Sequence, residues 1–485
     1  MHSHFAHIIR LFAAGAVVVC ACGLTGGARA QTPPAALARP RAQAAADAPA
    51  PGYTQVLQAE FPERKFLELQ EILRQGLIDG PAILMSEWQA AVAAQETRGH
   101  GGGRADMLPT VSGWASYGPT YEQHQGDGAQ NRSMLAFFYG LDISQPVYQW
   151  NTLTNNYQIR KLSQAMTERN IAEARRQLAI GIRRGYFDII LKSNELALAR
   201  KTMERYERDY KETEQAIKDG TVAAGALDGP NSNIQHLKPE IMRLENELAG
   251  MKRNMVRITG LPESTIDKIP TEIPALPEAQ LHDALYALLA TAGLPPSANL
   301  QNLTDTARIN QLAFENTKKL LYPKFGIDLN VNEQSRTTNY SNQGQRYIYT
   351  VWSAMATVSW TIFDGFGAQA ARRASMERLK IAEANRSQTE KQEPDDRRAE
   401  AENLQVQWER LLNTERDLAR TRGGMEITEQ DFKNGTVSAR QVEDTRVSYN
   451  TTLQGAYAAR AAFYIALVTC LSNRGQDPVI MAMQQ

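Results

Sequence analysis

Cysteine is scarce in this chain of 485 residues: there are three, with Cys20 and Cys22 in the first segment and Cys470 alone near the far end. That excludes a disulfide framework and a CxxC metal pair. Excess charge of either sign is missing too. Lys and Arg number 53, as do Asp and Glu, so nothing in the balance points to nucleic acid as a partner. Beyond the first segment the histidines His100, His124, His236 and His282 stand far apart in sequence. No H-x-x-x-H, phosphate-cradling loop or nucleophile elbow accompanies them. The sequence therefore offers no catalytic residue, no metal site and no cofactor site. A long apolar run is also lacking after the first thirty residues. The best candidate, Ala461 to Leu471, is short of the roughly 20 residues that a transmembrane helix needs.

What is present begins with a targeting signal. A short leading region with three histidines and Arg10 runs into the apolar stretch Leu11 to Leu24, followed by Ala28-Arg29-Ala30. The A-x-A ending predicts a signal peptide over residues 1–30, cleaved after Ala30. A rival reading takes Val19-Cys20-Ala21-Cys22 as a loose lipobox, with Cys22 the acylated residue. Both readings send the chain out of the cytoplasm. Residues 31–60 are rich in Ala and Pro and poor in large apolar side chains, a flexible tether by composition.

If such a chain enters a membrane it must do so as strands, and strands are legible. Leu135, Phe137, Tyr139, Leu141 and Ile143 alternate with Gly140, Asp142 and Ser144. Phe325, Ile327, Leu329 and Val331 alternate with Gly326, Asp328, Asn330 and Asn332. Ile348, Trp352, Ala354, Val358, Trp360 and Ile362 oppose Ser353, Thr357 and Ser359, and "TVSGWASY" reads as a weaker fourth strand. This period of two gives a sheet with one apolar and one polar face. "EQHQGDGAQNRS" and "RTTNYSNQGQR" read as the polar loops closing two hairpins of strands about ten residues long. A soluble sandwich would alternate in the same way. Four strands in a chain otherwise helical argue for the membrane.

The helical stretches are long. Trp150 to Asp219 contains no proline, and Leu237, Ile241, Leu244, Leu248, Met251, Met255 and Ile258 keep a heptad seam. A second long run extends from about Gly367 to Asn434. Pro394 lies inside it and predicts a kink or break.

Two short phrases tie these pieces together. "KDGTVAAGAL" begins at Lys218 and "KNGTVSARQV" at Lys433, so Gly220 and Gly435 are 215 positions apart, as are Pro146 and Thr361 at the strand ends. So long a period reads as a tandem duplication rather than a solenoid. The first repeat is placed at 61–270, the second at 271–475 and a C-terminal tail at 476–485. Each repeat runs helix, strand, strand, long helix, Gly-Thr-Val turn, returning helix.

This layout resembles the TolC family of outer-membrane channels. The matching residues are "YPKFGIDL", "VSWTIFDGFG", "FKNGTVSARQVED" and "AFYIALVTCLSNRG" in the second half, with "LPTVSGW", "SQPVY" and "KDGTVAAGAL" in the first. The resemblance implies a mostly α protein, a long coiled-coil helical barrel. Four transmembrane strands per chain would complete a 12-stranded barrel in a homotrimer. Closure alone would be met by two or three copies. It implies an exit duct in the outer-membrane lipid for efflux or type I secretion, served by a periplasmic membrane-fusion adaptor and an inner-membrane transporter. The adaptor would contact the tips Gly220, Thr221, Val222, Gly435, Thr436 and Val437. Gln441 and Asp444 hold the positions of the family's gate aspartates, with Glu443 beside Asp444. Val437 stands where an arginine is common, with Phe432 as its aromatic partner position. Asp228 is the gate candidate of the first half. Three copies of Glu443 and Asp444 would repel one another and attract cations. Alternatively the acids are solvated helix starts favoured by the dipole. A structural coiled-coil envelope protein without a pore is the other functional reading.

Overall fold

The structure is a computed structural model and describes residues 61–122, 132–276, 285, 296–340 and 343–484. The predicted signal peptide, the tether and Cys22 lie outside the described residues. Three helices open the described chain: α1 (Pro62–Lys65), α2 (Leu67–Asp79) and α3 (Pro81–Arg98). Proline begins the first and third, where its missing N–H would have had no partner anyway. The strands β1 (Thr110–Glu122) and β2 (Arg132–Tyr148) follow, then α4 (Thr152–Lys218), α5 (Asp228–Thr259) and α6 (Glu263–Ile266). The second half continues with α7 (Ala298–Thr317), β3 (Lys324–Tyr340), β4 (Gln343–Ser359), α8 (Gly367–Lys433), α9 (Ala439–Asn473) and α10 (Pro478–Gln484).

α4 and α8 are both 67 residues long, about 100 Å at 1.5 Å per residue. Thr152 and Gly367 start them and Lys218 and Lys433 end them, so both boundaries keep the 215-residue spacing. Each is entered through two residues in the left-handed region: Trp150 (φ 55) and Asn151 (φ 63), then Gly365 (φ 66) and Phe366 (φ 68). Left-handed backbone costs an ordinary side chain about 1–2 kcal/mol, and packing offsets it here. The Trp150 indole donates to the Pro323 carbonyl at 2.7 Å and lies 5.1 Å from both the Tyr148 and Tyr322 rings. At the other junction the Asp364 carboxylate accepts the Ala368 N–H at 2.6 Å, capping α8.

The four strands form one antiparallel sheet in the order β1-β2-β3-β4. Register sorts the side chains as the alternation predicts. Asp142 pairs across to Ser112 and Asn330, while Ile143 pairs to Val111 and Leu329. β1 and β4 are left as edges. The strands are 13 and 17 residues long rather than about ten. "RTTNY" and "QGQR" belong to β3 and β4 rather than to a loop. Their backbone ladder continues where polar residues on both faces erase the alternation that marks a strand. Residues 123–131 and 341–342 lie outside the described residues.

The helices lie side by side in the same order as the strands. α3, α4, α7 and α8 are successive neighbours near the sheet, and α5, α4, α9 and α8 toward the other end. Between those ends, α2 packs Leu69, Ile72, Leu73 and Leu77 against Leu178, Ile182, Tyr186, Phe187 and Ile190 of α4. A second cluster joins Leu404, Trp408 and Leu411 of α8 to Phe463, Leu467 and Leu471 of α9. α9 is long and apolar enough to cross a membrane by length and composition, yet 72% of that stretch is buried inside the protein. It is a core helix.

Arg183 sits at this waist with only 1% of its side chain exposed. It donates to Glu63, and to both Asp477 oxygens at 2.6 and 3.0 Å, with its guanidinium over the Phe61 ring. Burial pushes the Glu63 carboxyl above its usual 4.5 against the pull of Arg183. Burial also works to raise Asp477, but the Arg183 guanidinium and the Ser472 hydroxyl outweigh it and hold that carboxyl below its usual 3.8. The stretch read as a tail thus contains a buried anchor, Asp477, and the helix α10.

Pro394 does not break α8, which stays helical from Gly367 to Lys433. The residue is exposed, so water can solvate the carbonyl its ring leaves unpaired. Glu393 pairs with Arg397 one turn on and accepts the Ser297 N–H at 2.8 Å, bridging the site. Pro239 is likewise carried inside an uninterrupted α5.

Candidate functional site

The repeated Gly-Thr-Val phrase closes two helix ends in the same way. At the first tip the Gly220 N–H donates to the Ile217 carbonyl at 3.0 Å and the Thr221 N–H to the Ala216 carbonyl at 3.0 Å. At the second, Gly435 donates to Phe432 at 3.0 Å and Thr436 to Asp431 at 2.9 Å. This pair of hydrogen bonds is the Schellman closure, which needs a left-handed residue, and Gly220 (φ 73) and Gly435 (φ 77) supply it. The threonine hydroxyls add a second donor to the same carbonyls, each at 2.8 Å. Valine follows: Val222 is exposed and Val437 half-buried.

The returning helices then diverge for a local reason. Ser438 caps α9, its hydroxyl accepting the Gln441 N–H at 3.2 Å. The residue 215 positions earlier is Ala223, which has no side chain to cap with. The first tip passes instead through a 3-10 turn, Ala224–Leu227, before α5 begins at Asp228.

The candidate acids separate. Glu443 and Asp444 face α4, where Asp444 meets Arg205 at 2.7 Å and Glu443 meets Arg208. Asp228 is exposed on the first turn of α5 and joins neither pair. Within one chain Glu443 and Asp444 are thus charge-compensated, in place of the bare acidic pair that would attract cations. Arg446 and Glu429, 2.8 Å apart, tie α9 back to α8 just inside the tip. Arg205 and Arg208 escaped sequence reading because they belong to the other hairpin. Only the docking of α9 on α4 reveals them.

At the opposite end, the polar face of the sheet is organised around Asp142. It accepts from the Trp114 indole at 2.9 Å and from Asn330, which in turn accepts from Asn332 at 2.7 Å. Thr357 donates to Asp328 at 2.7 Å. Trp114 lies over Gly140, where any Cβ would meet the indole ring at 3.0 Å. The other face exposes Val111, Tyr117, Leu135, Ile327, Ile348, Trp352 and Val358. Where the sheet meets the helices, Tyr148, Tyr322, Phe325, Trp360, Phe363 and Phe366 form an exposed aromatic margin.

A sequence match to the outer membrane efflux protein family covers residues 74–260 and 311–471. The chain belongs to that family. It is an outer-membrane protein with a helical extension into the periplasm, and its family role is that of an efflux exit duct. Solved structures of the same fold include the CmeC outer membrane channel of Campylobacter jejuni, at 11% identity and TM-score 0.66 over 84% of this chain and 86% of that one. The outer membrane protein VceC of Vibrio cholerae matches at 13% and 0.61, over 85% and 97%. The MtrE outer membrane channel of Neisseria gonorrhoeae, in its open state, matches at 13% and 0.60, over 84% and 89%. A search of curated protein sequences found no significant match. In an outer membrane efflux protein, the apolar sheet face with its aromatic margin is the surface suited to lipid.

Proposed function

We propose that this outer membrane efflux protein works as a homotrimer whose twelve strands close one barrel. Each chain would add its long helices to a periplasmic tube. The observation that carries the reading is the open four-stranded sheet, apolar on one face, polar on the other, with β1 and β4 unpaired. Four strands cannot enclose a lumen, since the narrowest barrels have about eight. Bare edges in lipid would cost several kcal/mol for each unpaired group. The polar face with Asp142, Asp328, Asn330 and Asn332 would line the pore.

The duct is passive, part of a tripartite efflux pump or a type I secretion system, and an inner-membrane transporter supplies the energy. The tips at Gly220-Thr221-Val222 and Gly435-Thr436-Val437 meet the periplasmic membrane-fusion adaptor. Glu443 and Asp444 take part in the gate through their arginine partners, and Asp228 lines the same mouth. The 215-residue register of helix starts, helix ends and tip glycines supports descent of residues 61–270 and 271–475 from one duplicated unit.

Cysteines placed along β1, each paired in turn with one along β4, test closure. Disulfide-linked trimers that conduct in planar bilayers are expected. A chain that never links across copies and never conducts would instead be a structural spacer.

A further inference from the structure

Trp114 is out of character with its surroundings on the polar face of the sheet. It pairs across to Gly140, which pairs to Asn332, two positions along from the Asp142–Asn330 pair. Residues directly opposite share a face, so the indole stands beside Asp142. The rows from Gly326 to Asn332, with their partners on the other strands, place two carboxylates on this face, Asp142 and Asp328. They include no lysine or arginine, and Trp114 is their single aromatic residue.

The indole is held from two sides. Its Nε1–H donates to the Asp142 carboxylate at 2.9 Å. A Cβ at Gly140 would meet the ring atoms Cε2, Cζ2 and Nε1, each at 3.0 Å. Equal distances to three ring atoms set the glycine beneath the ring rather than beside its edge. One face is thus closed by the backbone. Trp114 is still 43% exposed, so the other face is open on the polar side.

Covering a glycine needs only the ring. The carboxylate at its edge adds a fixed negative charge beside an open π face, and Asp328 adds another on the same side of the sheet. Neutral groups donate to both acids: Trp114 and Asn330 to Asp142, and Thr357 to Asp328. Their charge therefore stays uncompensated by these contacts. An open indole face attracts cations and stacks on flat rings.

We propose that Trp114 and Asp142 form a subsite inside the barrel for a flat organic cation, its ring against the indole and its charge toward the carboxylates. The inference rests on reading the polar face as the pore lining.

N-methylquinolinium and neutral quinoline, nearly alike in shape and different in charge, are the probes. The emission lost in Trp114→Phe is that of Trp114 itself. In the detergent-purified protein N-methylquinolinium should quench this component along a saturable curve, and quinoline should not. Asp142→Asn, which keeps an acceptor for the indole, should raise the half-saturating concentration about fivefold. Gly140→Ala, which lifts the ring, should raise it too. Trp88→Phe removes another exposed tryptophan and should leave the curve unchanged. In planar bilayers N-methylquinolinium should reduce the current, and Trp114→Ala should require about fivefold more of it. Where Trp114→Ala does not assemble, Asp142→Asn carries this arm.

Quenching without saturation, an equal response to quinoline, or a curve indifferent to both Asp142→Asn and Gly140→Ala overturns the subsite. Shielding of Trp114 from both probes also overturns it, because a neighbouring copy would then cover the ring. Current reduction as strong in the variant as in the parent overturns its place in the pore. If the parent never conducts, the reading of the duct fails, and the quenching curves still decide the subsite.

Discussion

Arg205, midway down the outer part of α4, holds Asp444 of α9 at 2.7 Å, across more than two hundred residues of chain. With Arg208 and Glu443 alongside, it is the ionic joint between the two hairpins. Exposed pairs of this kind each contribute about 0.2–1 kcal/mol, small enough to be opened by a docking partner. Reversing both ends, Arg205→Asp with Asp444→Arg, should restore the low conductance that either single change raises. Conductance of the parent protein should rise with ionic strength beyond the increase in bulk conductivity, because salt screens exposed pairs.

Ion selectivity follows from the same pairing. Arg205→Ala with Arg208→Ala uncovers two carboxylates per chain and should make the pore more cation-selective and more sensitive to multivalent cations. Glu443→Ala with Asp444→Ala should shift selectivity in the opposite direction. Reversal potentials under a salt gradient measure both. Unchanged potentials in both variants would place these residues away from the conducting path.

The Arg183 hub should set the acid sensitivity of the waist. Removing one partner of a buried pair costs about 3–5 kcal/mol, so Asp477→Ala should lower the thermal midpoint at neutral pH. The Asp477 carboxyl is held below its usual 3.8, so its contribution is present above that value and lost as pH falls through the depressed one. The difference between parent and variant should therefore shrink below pH 3.8. Thermal scans of the detergent-purified protein across pH 3 to 7 check the sign.

Helix-end chemistry makes a paired prediction. Ser438→Ala removes a cap worth about 0.5–2 kcal/mol and should speed amide exchange in the first turn of α9. Ala223→Ser should slow exchange around residues 224–228 by giving the first tip the cap it lacks.

Pro394→Ala should raise the thermal midpoint. An interior proline costs a helix up to about 3 kcal/mol, and here the helix continues through it. A fall in stability would mean that the proline ring makes a contact of its own.

Most of the architecture was legible because it depends on period and spacing. Alternation placed Asp142 and Ile143 on opposite sheet faces, and the recurrence of Gly-Thr-Val located both long helices to within a residue or two. Features governed by partners distant in sequence were not legible. Nothing local marks Arg205 as the companion of Asp444, or Arg183 as that of Glu63 and Asp477. Proline chemistry predicts a kink or break at Pro394, and the helix runs on without a break, because local propensity carries no knowledge of solvent or of the Glu393–Arg397 bridge. The strands ran longer than expected because "RTTNY" is polar on both sides, so its pairing is visible only in the ladder. The left-handed Trp150 and Phe366 gave no signal either, since strand-to-helix corners usually use glycine there.

Because Arg183 moors Glu63 and Asp477 together, the first and last described stretches of the chain meet at its waist. That level is about 30 helical residues, or roughly 45 Å, from the sheet. A reporter fused behind α10 would thus sit clear of the membrane and of both tips, and a surface or bead attached there would hold the protein with its working ends free.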